Sequence, residues 1–245
     1  MRQKPLVIGH RGFASQAPEN TMVSFKKALD LGVGGLEFDV QMTRDGHLVV
    51  CHDEQVDRTT NGKGLIKDYT LAELKKLDAG GWFGPEFAGE TIPTLEELFD
   101  LLAGKPGLLI NAELKTGIVI YPEIEERFIE MVRRYRLTGQ ILISSFNHYS
   151  LYKVKGLAPE MKTGILYMDG LFEPWEYARR VKAEALHPLF YNIQPVIVEG
   201  AKRHGLMLNP FTVDDPGYMR LCIEAGVDGI ITNYPDRLMK LLEEG

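Results

Sequence analysis

The amino-acid sequence predicts an α/β protein that folds as a (β/α)₈ TIM barrel with a small insertion after the second strand. Short apolar runs alternate with longer stretches of helical periodicity, which is typical of a parallel sheet covered by helices. We count eight such strand and helix pairs, and 245 residues suit one barrel domain of roughly 250 residues. A doubly wound open sheet is the competing arrangement, but no glycine-rich dinucleotide-binding fingerprint follows the first strand.

The first part of the chain predicts two barrel strands and a hairpin. The first strand spans residues 6–10 and leads to a helix at 19–31, where apolar residues recur at spacings of three and four. The second strand spans 36–42. Asp45-Gly46 then predicts a tight turn, because both residues tolerate positive φ, and residues 48–51 return as an antiparallel partner.

The middle of the chain departs from this regular pattern and then resumes it. Residues 53–93 fit no simple βα unit, so we predict that they form an insertion within a single domain of residues 1–245. Thr94 and Glu97 predict a capping box at the start of the next helix. The remaining strands are predicted at 108–114, 141–145, 163–167, 185–188, 206–213 and 229–232, and their helices near 123–135, 149–158, 174–182, 195–204, 217–225 and 235–242.

Composition excludes several classes of protein. The chain has 28 Lys+Arg against 34 Asp+Glu and no basic stripe, so we expect no nucleic-acid partner. No apolar run approaches the roughly 18 residues of a membrane span, and we expect no stable membrane insertion. Cys51 and Cys222 give no disulfide framework, and the amino terminus has no long apolar signal region, so we expect a cytoplasmic protein. We expect its oligomeric state to be a monomer or a homodimer.

Carboxylates at the predicted strand ends indicate a metal site. In a (β/α)₈ barrel the active site lies at the carboxyl ends of the strands. Glu37 and Asp39 are two residues apart and so face the same side of one strand, and Glu113 lies near the end of the next barrel strand. Three converging carboxylates repel one another unless a cation lies between them, and oxygen ligands suit Mg²⁺ or Ca²⁺. We therefore predict one divalent cation on these three residues; the alternative is a structural network with Arg11 and Lys115.

Two histidines lie at the ends of neighbouring strands. His10 ends the first strand, and His52 follows the hairpin partner of the second. Either could be structural on its own, but two histidines beside a carboxylate cluster favour proton transfer in catalysis. Arg11 and Lys115 add cations that recognise phosphate. This combination predicts phosphoryl transfer or phosphodiester hydrolysis.

The order and spacing of the motifs resemble the glycerophosphodiester phosphodiesterases over essentially the whole chain. HRG or HD alone would be a weak signal, whereas their combination with E-x-D and E-x-K is specific. The matching segments are His10-Arg11-Gly12, Pro18-Glu19-Asn20-Thr21, Glu37-Phe38-Asp39-Val40, Thr43-Arg44-Asp45-Gly46, Val49-Val50-Cys51-His52-Asp53, Ile92-Pro93-Thr94-Leu95-Glu96-Glu97, Glu113-Leu114-Lys115 and Gly226-Val227-Asp228-Gly229-Ile230-Ile231-Thr232-Asn233-Tyr234-Pro235.

The resemblance implies metal-dependent hydrolysis of a glycerophosphodiester to sn-glycerol 3-phosphate and an alcohol. It implies attack by the glycerol 2-hydroxyl, which gives a cyclic phosphate that water then opens. It also implies a barrel with an inserted module after the second strand. The roles that it implies are metal ligation for Glu37, Asp39 and Glu113, general acid and base catalysis for His10 and His52, and contact with the phosphodiester for Arg11 and Lys115.

The substrate pocket is less well defined by the sequence. Phe211 stands where the family often has tryptophan, so we expect it to form the aromatic wall beside the glycerol. His187 ends the sixth barrel strand, and either contact with the substrate or a supporting role fits its position. Trp82, Phe83 and Phe87 are expected to build the small core of the insertion rather than an apolar lip over the site.

Other functions fit part of the pattern. A lysophospholipase-D-like enzyme would use the same chemistry on lipid phosphodiesters. A carbon–carbon lyase could place a Schiff base on Lys115, although Glu113 beside it favours a charged lysine. A non-catalytic phosphate-binding barrel would leave both histidines unexplained. Asp53 could orient His52 or cap the following turn.

Overall fold

A computed structural model describes residues 4–244 of the chain. Its strands alternate with helices, as the sequence pattern predicts. The strands are β1 Leu6–His10, β2 Gly35–Met42, β3 Leu48–Val50, β4 Leu109–Leu114, β5 Ile141–Ser145, β6 Lys162–Tyr167, β7 Ala185–Pro188, β8 Met207–Leu208 and β9 Gly229–Thr232.

The α-helices follow the strands on the outside of the sheet. None of them, within residues 4–244, is long and apolar enough to cross a membrane. They are α1 Met22–Leu31, α2 Leu71–Leu74, α3 Leu95–Leu102, α4 Ile124–Arg134, α5 His148–Leu157, α6 Pro174–Val181, α7 Pro195–Arg203, α8 Pro216–Ala225 and α9 Pro235–Glu244.

The parallel strands close into the predicted (β/α)₈ barrel. Their order is β8-β7-β6-β5-β4-β2-β1-β9, and β3 pairs with β2 in the antiparallel direction. Backbone hydrogen bonds join the two ends of this order: the amide of Asp228 donates to Leu208 O at 3.0 Å, and the amide of Ile231 donates to Pro210 O at 3.1 Å. These bonds link the chain around β8 to the chain around β9 and so complete the ring of strands.

One strand is much shorter than predicted. The sequence predicted a strand at 206–213, but β8 covers only Met207–Leu208. Pro210 has no backbone N–H to donate and its φ is fixed, so the regular ladder ends before it. The chain nevertheless stays beside β7, since the amide of Phe211 donates to Pro188 O at 3.1 Å.

The main core lies between the outer face of the barrel and the helices. Phe38 points outward from β2 and makes edge-on contacts with Phe25 and Phe99, at centroid distances of 6.1 and 6.5 Å. Because strand side chains alternate, the same strand points Glu37 and Asp39 into the barrel. The packing of one aromatic residue thus sets the direction of two carboxylates.

The segment between β3 and α3 has a small core of its own, and its composition differs from the prediction. Trp82, Phe83 and Phe87 were expected to build it, which is wrong: Trp82 is 43% exposed, and the three rings contact each other edge-on outside this core. The backbone of this loop approaches itself closely, since a Cβ on Gly80 would lie 1.9 Å from Phe87 O, and smaller side chains fill the core instead. The buried side chains of this core belong to Val49, Cys51, Val56, Ile66, Leu74, Ala79 and Ile92.

Two predicted local motifs are confirmed. Thr94 caps α3, where its hydroxyl accepts from the Glu97 amide at 3.1 Å and the Glu97 carboxylate accepts from the Thr94 amide at 2.8 Å. Gly46 takes a φ of 83° in the turn between β2 and β3. This hairpin matters for the site, because β3 leads directly to His52.

Candidate active site

Three carboxylates meet inside the carboxyl end of the barrel. Glu37 and Asp39 project inward from β2, and Glu113 lies directly opposite Asp39 on β4. One ligand oxygen from each residue lies within 4.8 Å of the other two, and all three side chains are buried. The structure therefore brings together the three residues that the sequence indicates as metal ligands.

The electrostatics of this cluster favour a bound cation. Burial, together with the charges of Asp39 and Glu113, raises the pKa of Glu37 well above its ordinary value. Burial and the Asp39 charge raise the pKa of Glu113 to about 7. Burial first and mutual repulsion second thus disfavour the charged carboxylates in the absence of a cation. An all-oxygen donor set of this kind fits a hard divalent ion such as Mg²⁺ or Ca²⁺.

Two basic side chains flank the Asp39 carboxylate. Arg11 Nε lies 3.4 Å from Asp39 Oδ2, and Lys115 Nζ lies 3.8 Å from Asp39 Oδ1. Burial alone would raise the pKa of Asp39, but these two cations outweigh it and hold the pKa below its usual range. Lys115 also donates to Glu113 at 2.9 Å, and the amide of Arg11 donates to Glu37 at 3.1 Å. The cations and the carboxylates thus form one connected cluster.

His10 is held by a neutral partner. Its Nδ1 lies 2.7 Å from Oδ1 of Asn233, and an amide oxygen only accepts, so this nitrogen carries the proton. Its Nε2 then faces the carboxylates, 3.8 Å from Glu37. Asn233 is fixed in turn by Asp214, which accepts from the Asn233 side-chain amide at 2.8 Å. Burial and the neighbouring Arg11 lower the pKa of His10 to about 4, so the ring is neutral at neutral pH.

His52 is held by a charged partner. Its Nδ1 lies 2.6 Å from Oδ1 of Asp53, which accepts the ring N–H. The Asp53 side chain therefore orients His52, the first of the two roles considered for it. Although burial alone would raise the pKa of Asp53, hydrogen bonds from Arg58 and His52 lower it to about 2. Gln41 fixes the local backbone by donating to the carbonyl oxygens of His52 and Asp53 at 3.0 and 2.6 Å.

The remaining predicted residues lie on the other side of the barrel. His187 is fully buried, and its Nε2 is 3.3 Å from the side-chain nitrogen of Asn209. Gly164 leaves room for the imidazole, since a Cβ there would lie 2.7 Å from His187 Nε2. Burial lowers the pKa of His187 to about 3. Phe211 instead packs edge-on against Phe146 at 5.8 Å, beyond the carboxyl ends of the strands.

Several residues around this cluster had no role assigned from the sequence. Asn20 donates to Asp39 at 2.9 Å and has a φ of 57°, in the region that favours glycine. Glu19 accepts from Arg11 at 2.7 Å. Both lie in the Pro18-Glu19-Asn20-Thr21 segment, so the motif itself was the available signal. Asp214 and Arg58 lie in irregular loops, where periodicity gives no indication of long-range partners.

The barrel and this cluster together define a class of protein. A buried carboxylate cluster beside two basic side chains and two histidines, at the carboxyl end of a (β/α)₈ barrel, is typical of a phosphoric diester hydrolase. The model of the glycerophosphoryl diester phosphodiesterase family matches residues 10–237. The chain belongs to this family and is an enzyme of that hydrolase class.

Individual relatives agree with this assignment. A glycerophosphodiester phosphodiesterase of Caldanaerobacter subterraneus subsp. tengcongensis is 55% identical over 242 residues, covering 99% of each chain. One from Bacillus altitudinis is 40% identical, covering 97% of this chain and 98% of the relative. The structure of an Oleispira antarctica phosphodiesterase in complex with the product sn-glycerol 3-phosphate shares 33% sequence identity with this chain. It superposes with a TM-score of 0.87, covering 98% of this chain and 97% of that one.

Proposed function

We propose that the enzyme hydrolyses glycerophosphodiesters to sn-glycerol 3-phosphate and an alcohol, with the help of one divalent cation and two histidines. The observation that carries the proposal is the buried cluster of three carboxylates, bracketed by Arg11 and Lys115 and adjoined by His10 and His52. The product complex of the Oleispira antarctica relative supports the same substrate class.

Glu37, Asp39 and Glu113 would hold the cation. When bound, it would stabilise the negative charge that builds on the phosphate oxygens in the transition state. Mg²⁺ and Ca²⁺ both suit three carboxylates with open positions for water and substrate. The raised pKa values of Glu37 and Glu113 support this assignment, because they report a site with too much negative charge for its surroundings.

Arg11 and Lys115 bind the phosphodiester in this proposal. Their charges already balance Asp39, so a cation on the carboxylates would free part of their positive potential for the substrate. Arg11 offers a planar donor group that matches two phosphate oxygens, whereas Lys115 offers a point charge. Both side chains are largely buried, which strengthens their interaction with an anion.

The two histidines divide the proton transfers. His10 is neutral with a free Nε2, so it can accept the proton of the attacking glycerol 2-hydroxyl while that oxygen bonds to phosphorus. The bond from phosphorus to the departing alcohol then breaks, and that oxygen takes a proton from His52. Asp53 balances the positive charge of a protonated His52. Water opens the resulting cyclic phosphate with the roles of the two histidines reversed.

His187 and Phe211 have different places in this proposal. Phe211 borders the opening of the barrel and would contact the glycerol or the alcohol side of the substrate. His187 is enclosed by its neighbours, so we propose that it supports the strand ends through Asn209 rather than contacting substrate.

The direct test of the proposed substrate is product analysis. Purified enzyme with Mg²⁺ or Ca²⁺ is incubated with glycerophosphocholine, and choline and sn-glycerol 3-phosphate are measured together. We expect equal amounts of both products, and slower release of choline from lysophosphatidylcholine. Faster turnover of the lysophospholipid would favour the lysophospholipase-D-like alternative, and release of phosphocholine would show cleavage of the wrong phosphoester bond.

We also propose that residues 1–245 form a single domain into which residues 53–93 are inserted, and the separate small core of that segment supports this division. Cytoplasmic location and a monomeric or homodimeric state stay predictions.

Cys51 and Cys222 are free and buried, and burial raises the pKa of both thiols to about 12. Neither thiol is therefore suited to react as a thiolate.

A further inference from the structure

Arg58 connects two carboxylates that belong to different parts of the chain. Its Nε and Nη2 donate to the two oxygens of Asp53, at 2.6 and 3.1 Å. Its Nη1 and Nη2 donate to the two oxygens of Glu19, at 2.9 and 2.7 Å. The guanidinium thus makes a bidentate contact with each carboxylate, an arrangement that a lysine could not reproduce.

Each of these carboxylates holds a residue of the proposed active site. Asp53 accepts from the ring of His52 at 2.6 Å, and Glu19 accepts from Arg11 Nη1 at 2.7 Å. One continuous series of hydrogen bonds therefore runs from His52 through Asp53, Arg58 and Glu19 to Arg11. It joins the residue proposed to move protons to the residue proposed to bind phosphate.

We propose that Arg58 is a positioning residue that fixes the His52 ring and the Arg11 guanidinium relative to each other. The inference deepens the function proposed above and rests on it for the roles of His52 and Arg11. Arg58 itself needs no contact with the substrate, because both of its carboxylate partners lie between it and the two residues that it positions.

The burial of the partners explains why this contact differs from an ordinary surface ion pair. Glu19 is only 14% exposed and Asp53 is 29% exposed, so both carboxylates have lost much of their hydration. Hydrogen bonds to Arg58 keep the pKa of each below its ordinary value despite that burial, so both are charged at neutral pH. Without Arg58, Glu19 and Asp53 would be two adjacent anions with incomplete partners, free to move away from each other.

The kinetic test compares three variants. In Arg58→Gln we expect kcat on glycerophosphocholine to fall about tenfold, because a small displacement of a catalytic group slows proton transfer. KM should rise as well, because Arg11 loses its fixed partner. Arg58→Lys keeps the charge but loses the bidentate geometry, so we expect it to recover only part of the rate. Arg44→Gln is the matched control: Arg44 pairs with Glu73 and the carbonyl of Asp68, away from the cluster, and should leave both constants unchanged.

A spectroscopic test does not depend on turnover. The ¹⁵N shifts of the His52 ring report which nitrogen carries the proton, and the signals can be assigned by their loss in His52→Gln. At a pH where the free enzyme's His52 ring is neutral, we expect one fixed tautomer with a protonated Nδ1 in the wild type, and a mixture of tautomers in Arg58→Gln. The change in the His52 shifts does not depend on which substrate the enzyme cleaves. If the substrate proposal is wrong, this change still occurs, whereas if the positioning proposal is wrong, it does not.

The two ends of this series of hydrogen bonds, His52 and Arg11, can also be tested separately. Glu19→Gln weakens the link to Arg11 but leaves the Asp53 contact in place, so we expect a higher KM with unchanged His52 shifts. Unchanged His52 shifts in Arg58→Gln would overturn the proposal. A higher KM with unchanged kcat in Arg58→Gln would also overturn it, since that result indicates direct substrate contact. A melting temperature close to wild type in each variant shows that the effects are local.

Discussion

The two halves of the barrel mouth differ in chemistry. The half formed by β1, β2, β4 and the end of β3 carries the charged cluster. The half formed by the ends of β5 to β8 instead bears exposed apolar side chains: Phe172 is 90% exposed, Tyr191 61% and Met168 59%. Phe146 and Phe211 contact each other on this side. The buried carboxylates thus lie on one side of the barrel mouth.

The register of the sheet shows how this division arises. Asp39 and Glu113 are neighbours across β2 and β4, and the same row continues through Ser144, Gly164 and Ala185 on β5, β6 and β7. In this row, the residues on one side are carboxylates and those on the other side are small and neutral. Buried charges are stable only beside opposite charges, so they gather together rather than spread around the ring. Under the proposed function, one half performs the chemistry and the other shapes the space for the alcohol.

The largest expected effect comes from the histidines of the charged half. His10→Ala and His52→Ala should each lower kcat about 1000-fold, because each removes one proton-transfer group. His148→Ala is the control from the apolar half, where this residue bonds to Leu166 O and the Tyr177 hydroxyl at 2.9 Å each. It should retain near-wild-type turnover. If either of the first two variants does so instead, the paired acid and base roles are wrong.

A smaller loss is expected when one carboxylate is neutralised. Glu113→Gln should lower kcat/KM about 100-fold at a fixed cation concentration, because the cation loses one charged ligand. A suitable control is Glu123→Gln, which neutralises an exposed carboxylate after β4. Asn111→Asp would be unsuitable as a control, because it would add a charge. Equal activity of Glu113→Gln and Glu123→Gln would exclude the proposed ligand role.

Glu113→Gln should stabilise the metal-free protein, although it should lower activity. The pKa of Glu113 is about 7 in the folded chain, above its ordinary value of 4.5. The folded state therefore favours the protonated Glu113 carboxyl. This favourable contribution to the free energy of unfolding is fully present below about pH 4.5 and is lost as the pH rises through about 7. Glutamine stays neutral, so at pH 8 the metal-free Glu113→Gln variant should melt roughly 5 °C above the wild type. Identical melting temperatures across the pH range would contradict this electrostatic account.

The smallest effect is expected in the apolar half. Phe211→Ala should change kcat on glycerophosphocholine by less than about threefold, because this ring touches no group that transfers protons or binds phosphate. Its effect should appear in the ratio of kcat/KM values for different alcohol groups. A loss of kcat as large as that of the histidine variants would mean that the two halves do not divide chemistry from recognition.

Much of the fold could be predicted because the barrel repeats a simple pattern. Apolar runs locate the strands within one or two residues, and the spacing of Glu37 and Asp39 fixes their common direction. The length of β8 was overestimated, since its apolar character continues through Pro210 although its hydrogen-bond ladder cannot. Trp82, Phe83 and Phe87 were misplaced because hydrophobicity does not show which apolar side chains of an irregular segment fill its core.

The supporting residues could not be predicted in the same way. Arg58 and Glu19 are 39 residues apart, and their contact joins an irregular segment to the first loop after β1. Asp214 reaches His10 only through Asn233, from a loop after β8. Such contacts depend on the closed barrel, which brings distant loops to one face. Strand periodicity predicts that these loops meet but not which side chains pair.

The central claim, that the three carboxylates form a cation site required for phosphodiester hydrolysis, has a direct measurement. Metal-free enzyme is titrated with Ca²⁺ or Mg²⁺ in a calorimeter, and release of sn-glycerol 3-phosphate is measured at each point. We predict that one ion binds per chain, that activity rises in proportion to occupancy, and that Glu113→Gln binds the ion more weakly. Full activity in the metal-free enzyme, or equal ion binding by the variant, would contradict the account.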